Sequence, residues 1–291
     1  MTALKEIKRS IVSVQGTRKI TSAMEMVASA KMHKGRERME RMWAYRDKLY
    51  GILNGLLGEG ESAVSPYMAG RPETRRAAIV AFSSNSSLCG AFNANVVTAL
   101  DGMIAEYGRV VPKKNLVIVP VGRKVSDAVR KRGFQVWHDY SEMTDKPSYE
   151  EVAVLVDRLL QLFMSEKIDR VELLYHHYKS VASQTLVRET LLPFPAIAGE
   201  GGAPETDYIL EPSREALLRM MLPRVIVLKF YTALLESHVS ENAARMVAMQ
   251  TATNNAEKLI REKNILYNKF RQQSITSELL DMNNGMTETN Y

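Results

Sequence analysis

Few stretches of this sequence could carry chemistry. The richest is Ser83-Ser84-Asn85-Ser86-Ser87-Leu88-Cys89-Gly90, which follows the apolar run Ala77–Phe82 and precedes a helical pattern. A turn in that position is where doubly wound sheets bind ligands, and amides at the start of the next helix can hold an anion. The turn nevertheless lacks the Walker pattern and the GxGxxG fingerprint, so the plainer expectation is an Asn/Ser turn without a ligand. Cys89 is the only cysteine, with no CxxC partner and no nearby His. It reads as a buried structural thiol rather than a nucleophile, and an internal disulfide is excluded.

The five histidines do not assemble into a site. His176 and His177 adjoin on an expected strand, so their side chains point to opposite faces. His33, His138 and His238 are isolated in sequence. No metal, cofactor or catalytic constellation is expected. Met24, Met26, Met32, Met246 and Met249 lie at core-like helical spacing and read as packing. The net charge of +6 is concentrated at the start, where residues 1–50 carry 12 Lys and Arg against 5 Asp and Glu. Such an excess suits nucleic acid, anionic lipid, an acidic protein or only a solvated helix face. Trp43 and Tyr45 are the only aromatics interleaved before Lys48, so nucleic acid is disfavoured. No apolar run reaches the length of a membrane span, and the opening residues lack a secretory signal's design. A reducing, cytoplasmic setting is the expectation.

The positioning elements are two long helical stretches around an α/β segment. From Arg224 to Asn284 there are 61 residues without Gly or Pro, rich in strong helix formers. Pro223 is expected to kink or restart that helix, and Ser213 to cap its approach. Near one face lie Leu228, Tyr231, Leu235, Met246, Met249, Ala256, Ile260, Tyr267 and Phe270, with polar breaks at His238–Asn242 and Lys263. At the other end, Leu4, Ile7, Ile11, Val14, Thr21, Met24, Ala28 and Met32 form a narrow seam of the coiled-coil kind. Thr2 is a possible cap, the helix runs to about Leu57, and His33–Lys48 should be mostly exposed. Gly16 interrupts this helix at a cost of about 1 kcal/mol, which packing on a neighbour could offset.

Between the helices, strands are expected at Ala77–Phe82, Leu116–Val121, Phe134–Trp137, Arg170–Tyr178 and Gln184–Leu192. Helices are expected at Ala91–Glu106, Lys124–Arg132 and Tyr149–Met164. This alternation indicates βαβ units and a mostly parallel sheet. Glu200–Pro212 reads as a linker or lid, and the tail from Gly285 as frayed. The fold class is α/β: a long antiparallel coiled coil of the N- and C-terminal helices plus an inserted Rossmann-like α/β domain. The segments are 1–57, 75–195 and 213–284, a shaft with a globular foot. A mechanical or interaction protein fits better than an enzyme.

Three runs carry a resemblance: Ile20-Thr21-Ser22-Ala23-Met24-Glu25-Met26-Val27-Ala28, Ser240-Glu241-Asn242-Ala243-Ala244-Arg245-Met246-Val247-Ala248-Met249, and Tyr267-Asn268-Lys269-Phe270-Arg271-Gln272-Gln273-Ser274-Ile275-Thr276-Ser277-Glu278-Leu279. In this order, and at these distances from the two ends, the chain resembles the gamma subunits of F-type ATP synthases. The resemblance implies a central rotor shaft inside a ring of three alpha and three beta subunits, coupling proton flow to ATP synthesis on those partners. It also implies contact with an epsilon subunit and a membrane c-ring, hence only indirect membrane association at the cytoplasmic face of a bacterial inner membrane. No catalytic, cofactor or metal residues are implied in this chain.

By resemblance, Met24, Glu241 and Arg245 lie at the acidic lever loop of beta, a natural partner for the basic N-terminal helix. Gln272, Thr276 and Glu278 would touch beta near the catch region, with Leu279, Leu280 and Met282 giving an apolar tip. Asn85, Ser87 and Ala91 depart from the Asp, Gly and Gly of many relatives. The inserted regulatory loop of chloroplast relatives is missing. The rival reading is a non-rotary coiled-coil scaffold or adaptor with an α/β head.

Overall fold

A computed structural model describes residues 2–57, 65–134, 136–138, 140–195 and 210–288. The Gly-rich stretch after Leu57, most of the Glu200–Pro212 linker and the last three residues lie outside the described residues.

Helix α1 spans Thr2–Leu57. The α/β segment then gives β1 (Ala77–Phe82), α2 (Phe92–Tyr107), β2 (Leu116–Val121), α3 (Arg123–Lys131), α4 (Ser141–Asp145), α5 (Tyr149–Met164), β3 (Arg170–Ser180) and β4 (Ser183–Leu192). Helix α6 runs unbroken over Arg214–Glu288, with Pro223 inside it. The expected restart at Pro223 is therefore absent. Pro223 lies in the third turn, where the helix continues through it. The Ser213 hydroxyl accepts from Ala216 N at 3.3 Å, the expected cap.

The sheet order is β2-β1-β3-β4. β1 is parallel to β2 and to β3, and β3 turns back into the antiparallel edge strand β4. Every residue of β1 is buried, as a central parallel strand covered on both faces requires. β4, at the sheet edge, is exposed or half-buried until Leu191 and Leu192, which are buried. Of the strand expected at Phe134–Trp137, the described residues form only a single parallel bridge, Val136 to Ile118. The short helix α4 escaped the sequence reading, since SEMTD has too few positions to show a period.

The two faces of the sheet divide the residues cleanly. Ala77, Ile79, Ala81 and Leu174 pack under α2 and α3, with Val96, Leu100, Met103, Val125 and Val129. On the opposite face Phe82 meets Phe230 of α6, with ring centroids 5.3 Å apart. A right-handed crossover from β2 to β3 places α5 on that face too, and Tyr149 meets Tyr231 edge-on at 5.6 Å. The Ser148 hydroxyl caps α5 by accepting from Glu151 N.

The chain divides into two compact units, Met1–Ala28 with Met246–Tyr291, and Ser29–Arg245. In the first, Thr21 Oγ1 lies 2.8 Å from Thr253 Oγ1 and Arg18 bonds Glu257 at 3.1 Å. Residues earlier in α1 thus face residues later in α6, an antiparallel pair. Ile11, Thr21, Ala28, Met249 and Ala256 are buried in their seam, while Val12, Ile20, Met26 and Val27 point outward. Gly16 has no neighbour within 4 Å of where a side chain would begin, so no packing offsets its cost and that expectation is corrected.

In the second unit the seam of α1 continues through Met32, Gly35 and Met39, while the charged residues of His33–Lys48 are exposed or half-buried. Gly35 brings the two helices together: a Cβ there would stand 3.0 Å from Val239. Every residue of α6 from Val225 to Ser237 is buried. This stretch is apolar on nearly all sides because sheet, α1 and α5 surround it, where a one-sided stripe was expected.

Candidate functional site

Among the buried polar side chains of this run of α6, Lys229, Thr232 and Glu236 each meet a partner. Lys229 Nζ reaches Glu189 Oε1 and the Thr190 carbonyl, both at 2.9 Å. Glu236 accepts from Trp43 Nε1 at 3.0 Å and lies 2.5 Å from His177 Nδ1. The Thr232 hydroxyl bonds back to the Leu228 carbonyl. α6 is thereby tied to β4, β3 and α1 by directional contacts within an apolar surround. Such contacts cost much to break, because the remaining partner stays buried and unpaired. Sequence reasoning missed Lys229, Glu236 and Trp43. The available signal was a pair of charges seven residues apart in an otherwise apolar helix, which has to be compensated where it is buried.

His176 and His177 point to opposite faces, as expected. His176 is buried, stacked on Phe92 at 4.2 Å, and its Nδ1 finds no partner. Burial holds its pKa down to about 4. The Ser240 hydroxyl donates to the His176 carbonyl at 3.2 Å, another tie between α6 and β3.

The loop Ser83–Gly90 is ordered by its own side chains. Ser84 Oγ donates to the Ser86 carbonyl at 2.6 Å, and Asn93 Nδ2 reaches Ser84 Oγ at 2.8 Å and Cys89 Sγ at 3.1 Å. Cys89 is buried, as expected. Gly122, at φ +107°, must be glycine, since a Cβ would fall 2.2 Å from the Ser83 carbonyl oxygen. That approach lets Ser83 Oγ accept from Val125 N and cap α3. Asn85 accepts from Arg123 N and donates to the Ser141 carbonyl and Asp145.

The residues singled out by resemblance fall into distinct settings. Glu241 and Arg245 form an i,i+4 pair at 2.6 Å, with side chains only 8% and 12% exposed. Burial raises the Glu241 pKa, and Arg245 opposes that shift. Arg245 also donates to Ser86 Oγ at 2.8 Å and to the Ser87 carbonyl. Met24 is half-buried on α1. Gln272, Thr276 and Glu278 are exposed on α6, where Thr276 bonds only the Gln272 carbonyl and Glu278 accepts from Ser274. The register that pairs Thr21 with Thr253 puts Leu4 level with Phe270. Among the described residues α6 has no facing helix beyond that point, and Leu279 and Met282 are 61% and 68% exposed.

Among the described residues no group of three or more His, Cys, Asp or Glu is placed to hold a metal. Among the described residues no helix is long and apolar enough to cross a membrane.

Comparison with known proteins agrees with this arrangement. A family model described as ATP synthase matches residues 3–287. The chain is 50% identical over 289 residues to an ATP synthase gamma chain of Bacteroides fragilis, covering 98% of this chain and 99% of that one. It is 48% identical over 297 residues to the corresponding protein of Bacteroides thetaiotaomicron, at the same coverage. Its fold is similar to a chain in the Euglena gracilis mitochondrial ATP synthase structure containing OSCP, F1 and c-ring, with a TM-score of 0.68, 21% identity, and 99% and 95% coverage. A chain in the Tetrahymena thermophila central stalk and c-ring structure gives a TM-score of 0.57 at 23% identity, covering 80% of this chain and 99% of that one. With both terminal helices and the intervening α/β segment matched, the chain belongs to the ATP synthase gamma-chain family.

Proposed function

We propose that this chain is the central rotor-stalk subunit of a bacterial F-type ATP synthase, coupling proton flow through the membrane sector to ATP synthesis on partner subunits. The observation that carries the reading is the match to gamma chains over nearly the whole length, both terminal helices included. Its segments act as a helix pair, 1–57 with 213–284, and an α/β body at 75–195. The chain itself does no catalysis: ATP sites belong to three alpha and three beta subunits around the helix pair. An epsilon subunit and a c-ring are the remaining partners, with membrane attachment peripheral and the cytoplasmic face as the proposed location.

The physical support is a division of labour along α6. Where the helix is buried it is tied to the sheet by ion pairs and hydrogen bonds, contacts that resist twisting. Past Phe270 it exposes Leu279, Leu280 and Met282, apolar groups whose attraction has no preferred direction. A surface of that kind can turn against a sleeve without locking. Gln272, Thr276 and Glu278 are the polar groups proposed to meet beta there, and Met24, with Glu241 and Arg245 on the neighbouring helix, is proposed to lie by its acidic loop.

The test is to replace Gln272, Thr276 and Glu278 together by Ala in the assembled enzyme. Assembly should persist while proton-driven ATP synthesis falls. Synthesis at the unmodified rate would remove these three residues from the coupling path.

A further inference from the structure

In an open parallel sheet, ligands bind at the carboxyl ends of the strands where the strand order reverses. The order β2-β1-β3 puts that crevice between β1 and β3, beside the Ser83–Gly90 loop. In this chain the crevice is filled from within. Phe92 stacks on His176, Ser240 bonds the His176 carbonyl, and Arg245 of α6 reaches the loop. The groups the loop offers to Arg245 are acceptors, the Ser86 hydroxyl and the Ser87 carbonyl. Two amides that could have served an anion are otherwise engaged: Ser84 N with Asn93 Oδ1, and Phe92 N with the Cys89 carbonyl.

We infer that the Ser83–Gly90 loop is a receptor for the Arg245 guanidinium, and that Ser86 is its positioning residue, clamping α6 to the sheet. The hydroxyl is preorganised. The carbonyl of the same residue is held by Ser84 Oγ at 2.6 Å, with Asn93 Nδ2 at 3.4 Å, and the preceding Asn85 is anchored to Arg123, Ser141 and Asp145. Arg245 therefore meets a fixed acceptor on one side and Glu241 Oε1, at 2.6 Å, on the other. Its planar fork is suited to bridging two such partners. Arg245 is also the last residue of its compact unit along α6. The structural part of the inference is independent of the rotor reading; its mechanical consequence, transfer of twist between α6 and the sheet, rests on it.

Cys89 supplies the reporter, because it is buried in the same loop and is the chain's only thiol. The experiment measures the rate at which a neutral maleimide labels Cys89 in the assembled complex, read by mass on this chain, alongside proton-driven synthesis. A hydrogen bond to a charged group is among the stronger ones. Ser86→Ala should therefore speed labelling by about tenfold and lower the ratio of synthesis to hydrolysis. Ser86→Thr, which keeps the hydroxyl, should restore both. Arg245→Gln should speed labelling as Ser86→Ala does, and the double variant should be no faster than either single one. Wild-type labelling in both single variants, or rates that multiply in the double, would overturn the receptor. Faster labelling with undiminished coupling would overturn the mechanical consequence alone. A chain recovered outside an alpha–beta assembly would count against the rotor reading, and labelling of the free chain would still decide the receptor.

Discussion

Glu236 of α6 and Trp43 of α1 are joined by a 3.0 Å hydrogen bond from the indole, inside a surround where the carboxylate is almost fully buried. His177 of β3 meets the other oxygen of the same carboxylate. One side chain therefore links both terminal helices to the sheet. Glu236→Ala should cost roughly 1–3 kcal/mol, since it leaves the half-buried Trp43 indole and His177 without their shared acceptor. Glu236→Gln keeps an acceptor for the indole and should cost clearly less. Urea midpoints at constant slope would measure both, and equal losses would contradict the acceptor role.

Two of the glycines of α1, Gly16 and Gly35, should answer substitution with opposite signs. Gly16 faces open space, so Gly16→Ala should stabilise the chain by about 0.5–1 kcal/mol through helix propensity alone. At Gly35 a side chain would meet Val239 at 3.0 Å and His238 at 3.4 Å. Gly35→Leu should therefore destabilise by about 1–3 kcal/mol or more, through overpacking. Thermal unfolding of the two variants beside the parent checks the pair. A neutral Gly35→Leu would mean that the helices do not approach at this point.

His176 gives stability a pH dependence of definite sign. The folded chain keeps it neutral down to about pH 4, because burial opposes the charged form, against an ordinary value of 6.5. Between those values the unfolded chain binds more protons, so stability falls as pH drops from about 6.5 toward 4, by at most about 3 kcal/mol. His238 is also lowered by burial and acts in the same direction. Glu241, raised by burial, acts oppositely: its neutral form favours the fold, and that contribution is lost as pH rises above its ordinary value. The informative quantity is thus the difference between the parent and His176→Phe, which keeps a ring against Phe92. The stability of the parent minus that of His176→Phe should fall as pH falls through this window. A difference independent of pH would show that burial does not lower the His176 pKa in the fold.

Much of this was legible in the residues. The spacing Leu4, Ile7, Ile11, Val14 marks the buried side of α1 because a helix repeats every 3.6 residues. The apolar runs at 77–82 and 116–121 end at the observed strand boundaries, since β1 and β2 lie in the core. The continuity of α6 through Pro223 was not legible, because local propensity says break and only tertiary packing of Leu218, Leu222 and Val225 says continue. Nor could sequence pair Glu236 with Trp43, 193 residues apart, or show that Arg245 turns inward to Ser86. The motif around Arg245 suggested a residue facing partners. Its side chain, 12% exposed, shows what a motif cannot: where the guanidinium's hydrogen bonds go.

The central claim is that this chain is the single rotor of a larger assembly. Its most direct test is the mass of the native complex isolated through a tag on this chain, measured without denaturation. The account predicts one copy of the chain with three alpha and three beta subunits. A stable particle with two or more copies of this chain, or one without nucleotide-binding alpha and beta partners, would contradict it.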